Sequence, residues 1–154
     1  MSKEQFLSKY GDVDHAIKGI KSSDENTRYF AAQNHLLPHI QMKNIMLTGD
    51  WDDTHGLAKN PALPTELADN LTTHEDHVTA NAAQKNNNIS PAKVDDIVRR
   101  NISSNRDTIS HIIQHSPHIT KEHLRFILKS KSGHSNDNQD LAEIRLMKDH
   151  GVDQ

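Results

Sequence analysis

The chain has 154 residues, of which 33% are hydrophobic and only 4% aromatic, so its core must come from regularly spaced aliphatic side chains rather than large rings. It has no cysteine, which excludes disulfides, thiolate metal sites and cysteine nucleophiles, and no apolar run near the roughly 20 residues that a membrane span needs. The net charge of −3 is laid down in blocks: residues 1–84 carry −5, residues 85–131 carry +5 and residues 132–154 carry −3. Such blocks can steer a charged partner or a neighbouring copy.

In chain order, residues 10–33 read as a degenerate helix pair, with Val13, Ala16, Ile17 and Ile20 in its first helix and Tyr29 and Phe30 in its second. From Asn34 onward one pattern recurs. Segments opening at Asn34, Asn60, Asn86 and Ser116 each place an aliphatic residue at the fourth position, an apolar one five later and another three after that. The triads are Leu37/Met42/Ile45, Leu63/Ala68/Leu71, Ile89/Val94/Ile97 and Ile119/Leu124/Ile127, and successive openings lie 26, 26 and 30 residues apart. That spacing keeps three apolar side chains on one helical face and suits a strand badly.

Each first helix is expected to start at a proline or hydroxyl cap, at Pro38, Pro64, Ser90-Pro91 and Thr120. Each second helix is expected to be capped in turn by Ser23, Asp50, Thr73, Ser104 and Ser135, and to end in small or aliphatic residues such as Ala31-Ala32 and Leu57-Ala58. The four extra residues of the 30-residue unit fall around Val98 to Asn101, which predicts one additional helical turn carrying Arg99 and Arg100 outward. A polar loop over 131–138 precedes a last amphipathic helix with Leu141, Ile144 and Met147.

A period of 26–30 residues is the mark of stacked supersecondary units. The expectation is an all-α chain, one domain over 1–154, built as an α-solenoid of about five stacked helix pairs with a C-terminal capping helix. Its units are about 10–33, 34–59, 60–85, 86–115 and 116–148. The stretches Asp24 to Asn34 and Ala58 to Leu67 resemble the leucine-rich-repeat-variant and HEAT-like helical repeats, a likeness of pattern covering about residues 10–128. The resemblance implies an α-solenoid scaffold and is nearly silent about activity.

No catalytic motif is present: there is no G-x-S-x-G, no P-loop and no His-Glu-x-x-His. Neither a cofactor nor a small-molecule substrate is expected. The first reading is a non-catalytic protein-interaction or structural module, binding another protein or itself, in the style of a phage-encoded accessory or virion protein. It would be located in the cytoplasm or within a virus particle, neither secreted nor in a membrane. Candidate partner-binding residues are Arg99, Arg100, Arg106, Lys121 and Arg125 of the basic segment, and Trp51, the only tryptophan, which stands among acidic residues as a lid or an anchor.

Two alternatives stay open. The basic segment 85–131 could hold nucleic acid, although Asp95, Asp96, Asp107 and Glu122 interleave its cations and only Phe126 is at hand for base stacking. Twelve histidines could supply a metal site, with His35/His39 and His111/His115 at helical spacing and Asp50, Asp52, Asp53 and His55 clustered. Protonating all twelve would move the formal charge from −3 to +9, so association or solubility is expected to change between about pH 7 and pH 5.

Overall fold

A computed structural model describes residues 1–101, 106–130 and 136–150, which form two compact units, Met1–Ile89 and Ser90–Gln154. Among the described residues the structure is all helical, with eleven helices and no strand. None of those helices is long and apolar enough to cross a membrane.

The first unit holds α1 (Lys3–Tyr10), α2 (Val13–Ile20), α3 (Glu25–Ala32), α4 (His39–Thr48), α5 (Trp51–Ala58), α6 (Thr65–Leu71) and α7 (His77–Gln84). Helix α1 is set by a capping box: Ser2 Oγ accepts the Gln5 N–H while the Gln5 side chain accepts the Ser2 N–H. The repeat pattern gave no warning of this helix, although Ser2-x-x-Gln5 spells its cap. Helices α3, α5 and α7 are capped by Asp24, Asp50 and Asp76, each accepting the backbone N–H three residues on. The caps expected at Ser23 and Thr73 therefore fall one and three residues later, on carboxylates spaced 26 residues apart. A carboxylate both accepts the orphan N–H and complements the positive helix end, which a hydroxyl does less well. Ser104 and Ser135 lie outside the described residues.

All twelve triad residues are buried. Their first members, however, do not share the helical face: Leu37 and Leu63 sit in the turn before Pro38 and Pro64, which are the N-caps of α4 and α6 and bring no side-chain hydrogen bond. Those leucines are held instead by backbone turns, Leu37 N–H to Asn34 O and Leu63 N–H to Asn60 O.

The same asparagine contact ties consecutive turns of this unit. Asn34 Nδ2 donates to Ser8 O at 2.9 Å and Gly11 O at 3.1 Å; Asn60 Nδ2 to Ala32 O at 2.9 Å and Asn34 O at 2.8 Å; Asn86 Nδ2 to Ala58 O at 3.0 Å and Asn60 O at 2.9 Å. Each Oδ1 also accepts the N–H two residues on, from Leu36, Ala62 and Asn88. A side-chain amide is the one neutral group that supplies donors to the previous turn and an acceptor to its own. Close packing of α3 and α5 rests on small residues: a Cβ added at Gly56 would meet the Tyr29 carbonyl and, at 3.0 Å, Ala32 Cβ.

The second unit holds α8 (Pro91–Asn101), α9 (Arg106–His115), α10 (Lys121–Lys129) and α11 (Asn136–His150). Ser90 Oγ accepts the Lys93 N–H at the start of α8, as its spelling implies. Helix α8 runs through Val98 to Asn101, the residues of the expected additional turn, and has 11 residues against 10 in α4, 7 in α6 and 9 in α10. Thr120 caps α10 in a box whose third member is His123, its Nδ1 accepting the Thr120 N–H. The core is aliphatic, with Val94, Ile97, Ile109, Ile112, Ile113, Leu124, Ile127 and Leu146 buried. Arg145 of α11 donates to Ile113 O at 2.6 Å and Ser116 O at 3.0 Å, while Ser116 Oγ accepts the His118 N–H. Arginine here gives the carbonyls at 113 and 116 what Asn34 gives those at 8 and 11. Leu141 is half-buried, but Ile144 and Met147 are exposed, so the apolar stripe expected on the last helix is covered only through Ala142 and Leu146.

Candidate functional site

Five of the six aromatic side chains lie on α1, α3 and α5 of the first unit; Phe126 is the exception. Because α3 packs on α5 with Gly56 between them, residues at matching places on the two helices meet: Tyr29 and His55, 26 residues apart, have ring centroids 5.1 Å apart. The row extends through Phe30, 5.3 Å from Tyr29, and through Trp51, 5.1 Å from His55 one helical turn away. Phe6 and Tyr10 of α1 stand 5.0 Å apart, and the Lys9 ammonium links them to the row, 5.1 Å from the Tyr10 centroid and 5.7 Å from that of Phe30. Lys59 lies 5.3 Å from the Tyr29 ring centre and donates to its hydroxyl at 2.6 Å. Phe6, Tyr10 and Trp51 are all about half exposed, Trp51 at 49%.

Carboxylates border this row. The Arg28 guanidinium reaches from α3 to Asp50 at 2.8 Å and Asp53 at 3.0 Å, with a third donation to Ser22 O at 2.8 Å. Burial and the neighbouring Asp50 push the Asp53 carboxyl up, against the pull of Arg28. Burial acts upward on Asp50 too, but the Asp53 N–H and Arg28 outweigh it and hold that carboxyl low. Asp76 is held low by the Thr79 N–H, with the indole N–H of Trp51 acting in the same direction. Trp51 is the first residue of α5, with its ring packed on that of His55.

Burial and the nearby Lys59 ammonium push His55 down. A histidine held low in the fold binds fewer protons than it does in the unfolded chain, so its contribution to stability falls as pH drops below about 6.5. The caps Asp24, Asp50 and Asp76, together with Asp12 and Asp95, are also held low. Their stabilisation is present above about pH 4 and lost as pH falls through their folded values. Asp53, held high, changes in the opposite direction. The expected melting profile falls in two steps on acidification, a small one below about pH 6.5 and a larger one below about pH 4. Thermal scans from pH 8 to pH 2 check it, and the His55→Gln variant should lack the part of the first step that His55 supplies.

The basic candidates are only partly brought together. Arg99 and Arg100 are exposed at 53% and 79% of their side chains, but each is paired four residues back on its own helix, to Asp95 at 2.9 Å and Asp96 at 2.5 Å. Arg99 also lies over the Phe126 ring, 5.3 Å from its centre, so the one aromatic of this segment is already covered. Asp95 is shared with His123, a buried histidine whose Nε2 lies 2.9 Å from the carboxylate; with Nδ1 accepting the Thr120 N–H, Nε2 is the donor. Lys121 and Arg125 are exposed on α10, where both pull on Glu122 between them, and Arg106 is exposed at the start of α9.

Of the histidine pairs, His111 and His115 do share a face of α9, with rings 4.8 Å apart. His35 precedes α4 while His39 begins it, so that pair shares no helical face. Among the described residues no three His, Asp or Glu side chains converge as metal ligands do. Compared with known proteins, the chain matches no family model, no curated protein and no solved structure.

Proposed function

We propose that the protein is a non-catalytic protein-interaction module whose helix pairs stack as a solenoid, and that a partner docks on the aromatic row of α1, α3 and α5. One observation carries the reading: a chain with six aromatic residues places five of them in one neighbourhood and leaves Phe6, Tyr10 and Trp51 half exposed. Tyrosine and tryptophan dominate the energetics of interfaces, because they offer a large rigid face at low conformational cost. The stacking part of the proposal rests on the asparagine contact recurring at 34, 60 and 86, which repeats one inter-turn joint at the period of the sequence.

Binding of phosphates by the basic segment is the weaker reading. Arg99 and Arg100 spend their charge on Asp95 and Asp96, and a phosphate would have to displace those carboxylates. A photoreactive side chain replacing Tyr10, and separately one replacing Arg125, decides between the two when the labelled protein is irradiated in its native extract. A protein adduct through position 10, insensitive to nuclease, is the expected result. A nuclease-sensitive adduct through position 125, with none at position 10, would overturn the reading.

A further inference from the structure

Resting on the interaction surface just described, the chemistry of the row goes on to specify what it takes. We infer that it receives a lysine- or arginine-bearing segment of a partner protein, with one cationic head seated on the Trp51 ring at the acidic start of α5.

The rings already carry cations from this chain. Lys9 sits over Tyr10 and Phe30, and Lys59 sits over Tyr29. Among the described residues none places a cation over Trp51, the ring type with the strongest attraction for one. Its side chain is half exposed, and it opens α5 among the carboxylates of Asp50, Asp52 and Asp53.

Charge points the same way. The caps and first turns of α3, α5 and α7 (residues 24–28, 50–54 and 76–80) hold Asp24, Glu25, Asp50, Asp52, Asp53 and Asp76 against Arg28 alone. Three helix N-termini offset about half a charge each, so this end of the unit stays negative by roughly three or more charges. An anionic ligand is disfavoured twice. It would meet that field, and the N–H groups it would need are taken, because Asp24, Asp50 and Asp76 accept them from Thr27, Asp53 and Thr79.

The test is a titration of the full-length chain with octapeptides of alternating glycine and lysine, glycine and arginine, glycine and glutamate, or glycine and serine. Trp51 emission is the readout, since it is the only tryptophan, and calorimetry gives Kd. Cationic peptides are expected to shift the emission saturably and to bind more weakly as salt rises; glutamate and serine peptides should not bind. The variant Asp52→Asn with Asp76→Asn, which keeps a competent cap at 76, should weaken cationic binding about three- to tenfold. Lys148→Gln, a change of charge on the exposed face of α11, should leave it unchanged.

Equal binding of serine or glutamate peptides, or an unaltered Kd in the double asparagine variant, would overturn the cationic partner while leaving the interaction face standing on the position-10 adduct. Loss of that adduct would remove the face itself. Sedimentation of the unliganded chain adds one more outcome: a dimer that dissociates in Trp51→Ser would mean that a second copy covers the row, and the inference would fall.

Discussion

Replacing Asn60 with alanine is expected to lower the stability of the first unit by about 2–4 kcal/mol. The side chain is fully buried and makes three hydrogen bonds, donating to Ala32 O and Asn34 O and accepting the Ala62 N–H. Truncation leaves those groups without water and without a partner, and each such group costs about 1–3 kcal/mol. The upper end is relieved because Asn34 O keeps the Leu37 N–H. Asn60→Asp should be worse than alanine, since it buries a carboxylate facing two carbonyls and removes the donor. Ser116→Ala is the comparison: Ser116 Oγ accepts the His118 N–H, and loss of that one bond should cost about 0.5–1.5 kcal/mol. Urea unfolding followed by Trp51 emission reads the first unit directly. A loss under about 1 kcal/mol for Asn60→Ala would mean that water enters and replaces the amide.

What the sequence made legible follows from how locally each feature is determined. Burial of Leu63, Ala68 and Leu71 was readable because apolar periodicity is itself the cause of burial. That Leu63 lies in a turn and not on the helix was not, because an offset of five fits a helical face and also fits a turn followed by one helical turn. The caps slid from Ser23 to Asp24 and from Thr73 to Asp76 because adjacent hydroxyls and carboxylates compete, and the carboxylate gains from the helix dipole as well.

The aromatic row was legible in part. Tyr29 and His55 sit at equal places in consecutive 26-residue segments, so their contact was implicit in the period although no such pairing was expected. The packing of Trp51 on His55 is set instead by their spacing of four along α5. Arg99 and Arg100 are the converse case. Asp95 and Asp96 were visible among the cations of 85–131, and the pairing follows from their lying four residues earlier, the spacing at which helical side chains meet.

Gly56 joins the packing to the row, and two effects of opposite sign meet there. In an ordinary helix Gly→Ala stabilises by about 0.8–1 kcal/mol, because alanine loses less backbone freedom on folding. At Gly56 the new methyl would fall well within van der Waals distance of the Tyr29 carbonyl, and 3.0 Å from Ala32 Cβ. The obstacle is backbone, so the two helices must move apart; overpacking of this kind costs about 1–3 kcal/mol. Gly56→Ala should therefore destabilise by about 1–2 kcal/mol despite its propensity, and Gly56→Val, with little propensity gain, by about 3 kcal/mol. Separation of α3 from α5 also pulls His55 from Tyr29, and His55 is what Trp51 packs on. Native-state emission of Trp51 should shift in Gly56→Ala but not in Asn60→Ala, whose lost bonds lie at the other end of α5. Stabilisation by Gly56→Ala, with emission unchanged, would mean that the α3 and α5 contact is looser than its geometry and that the row does not depend on it.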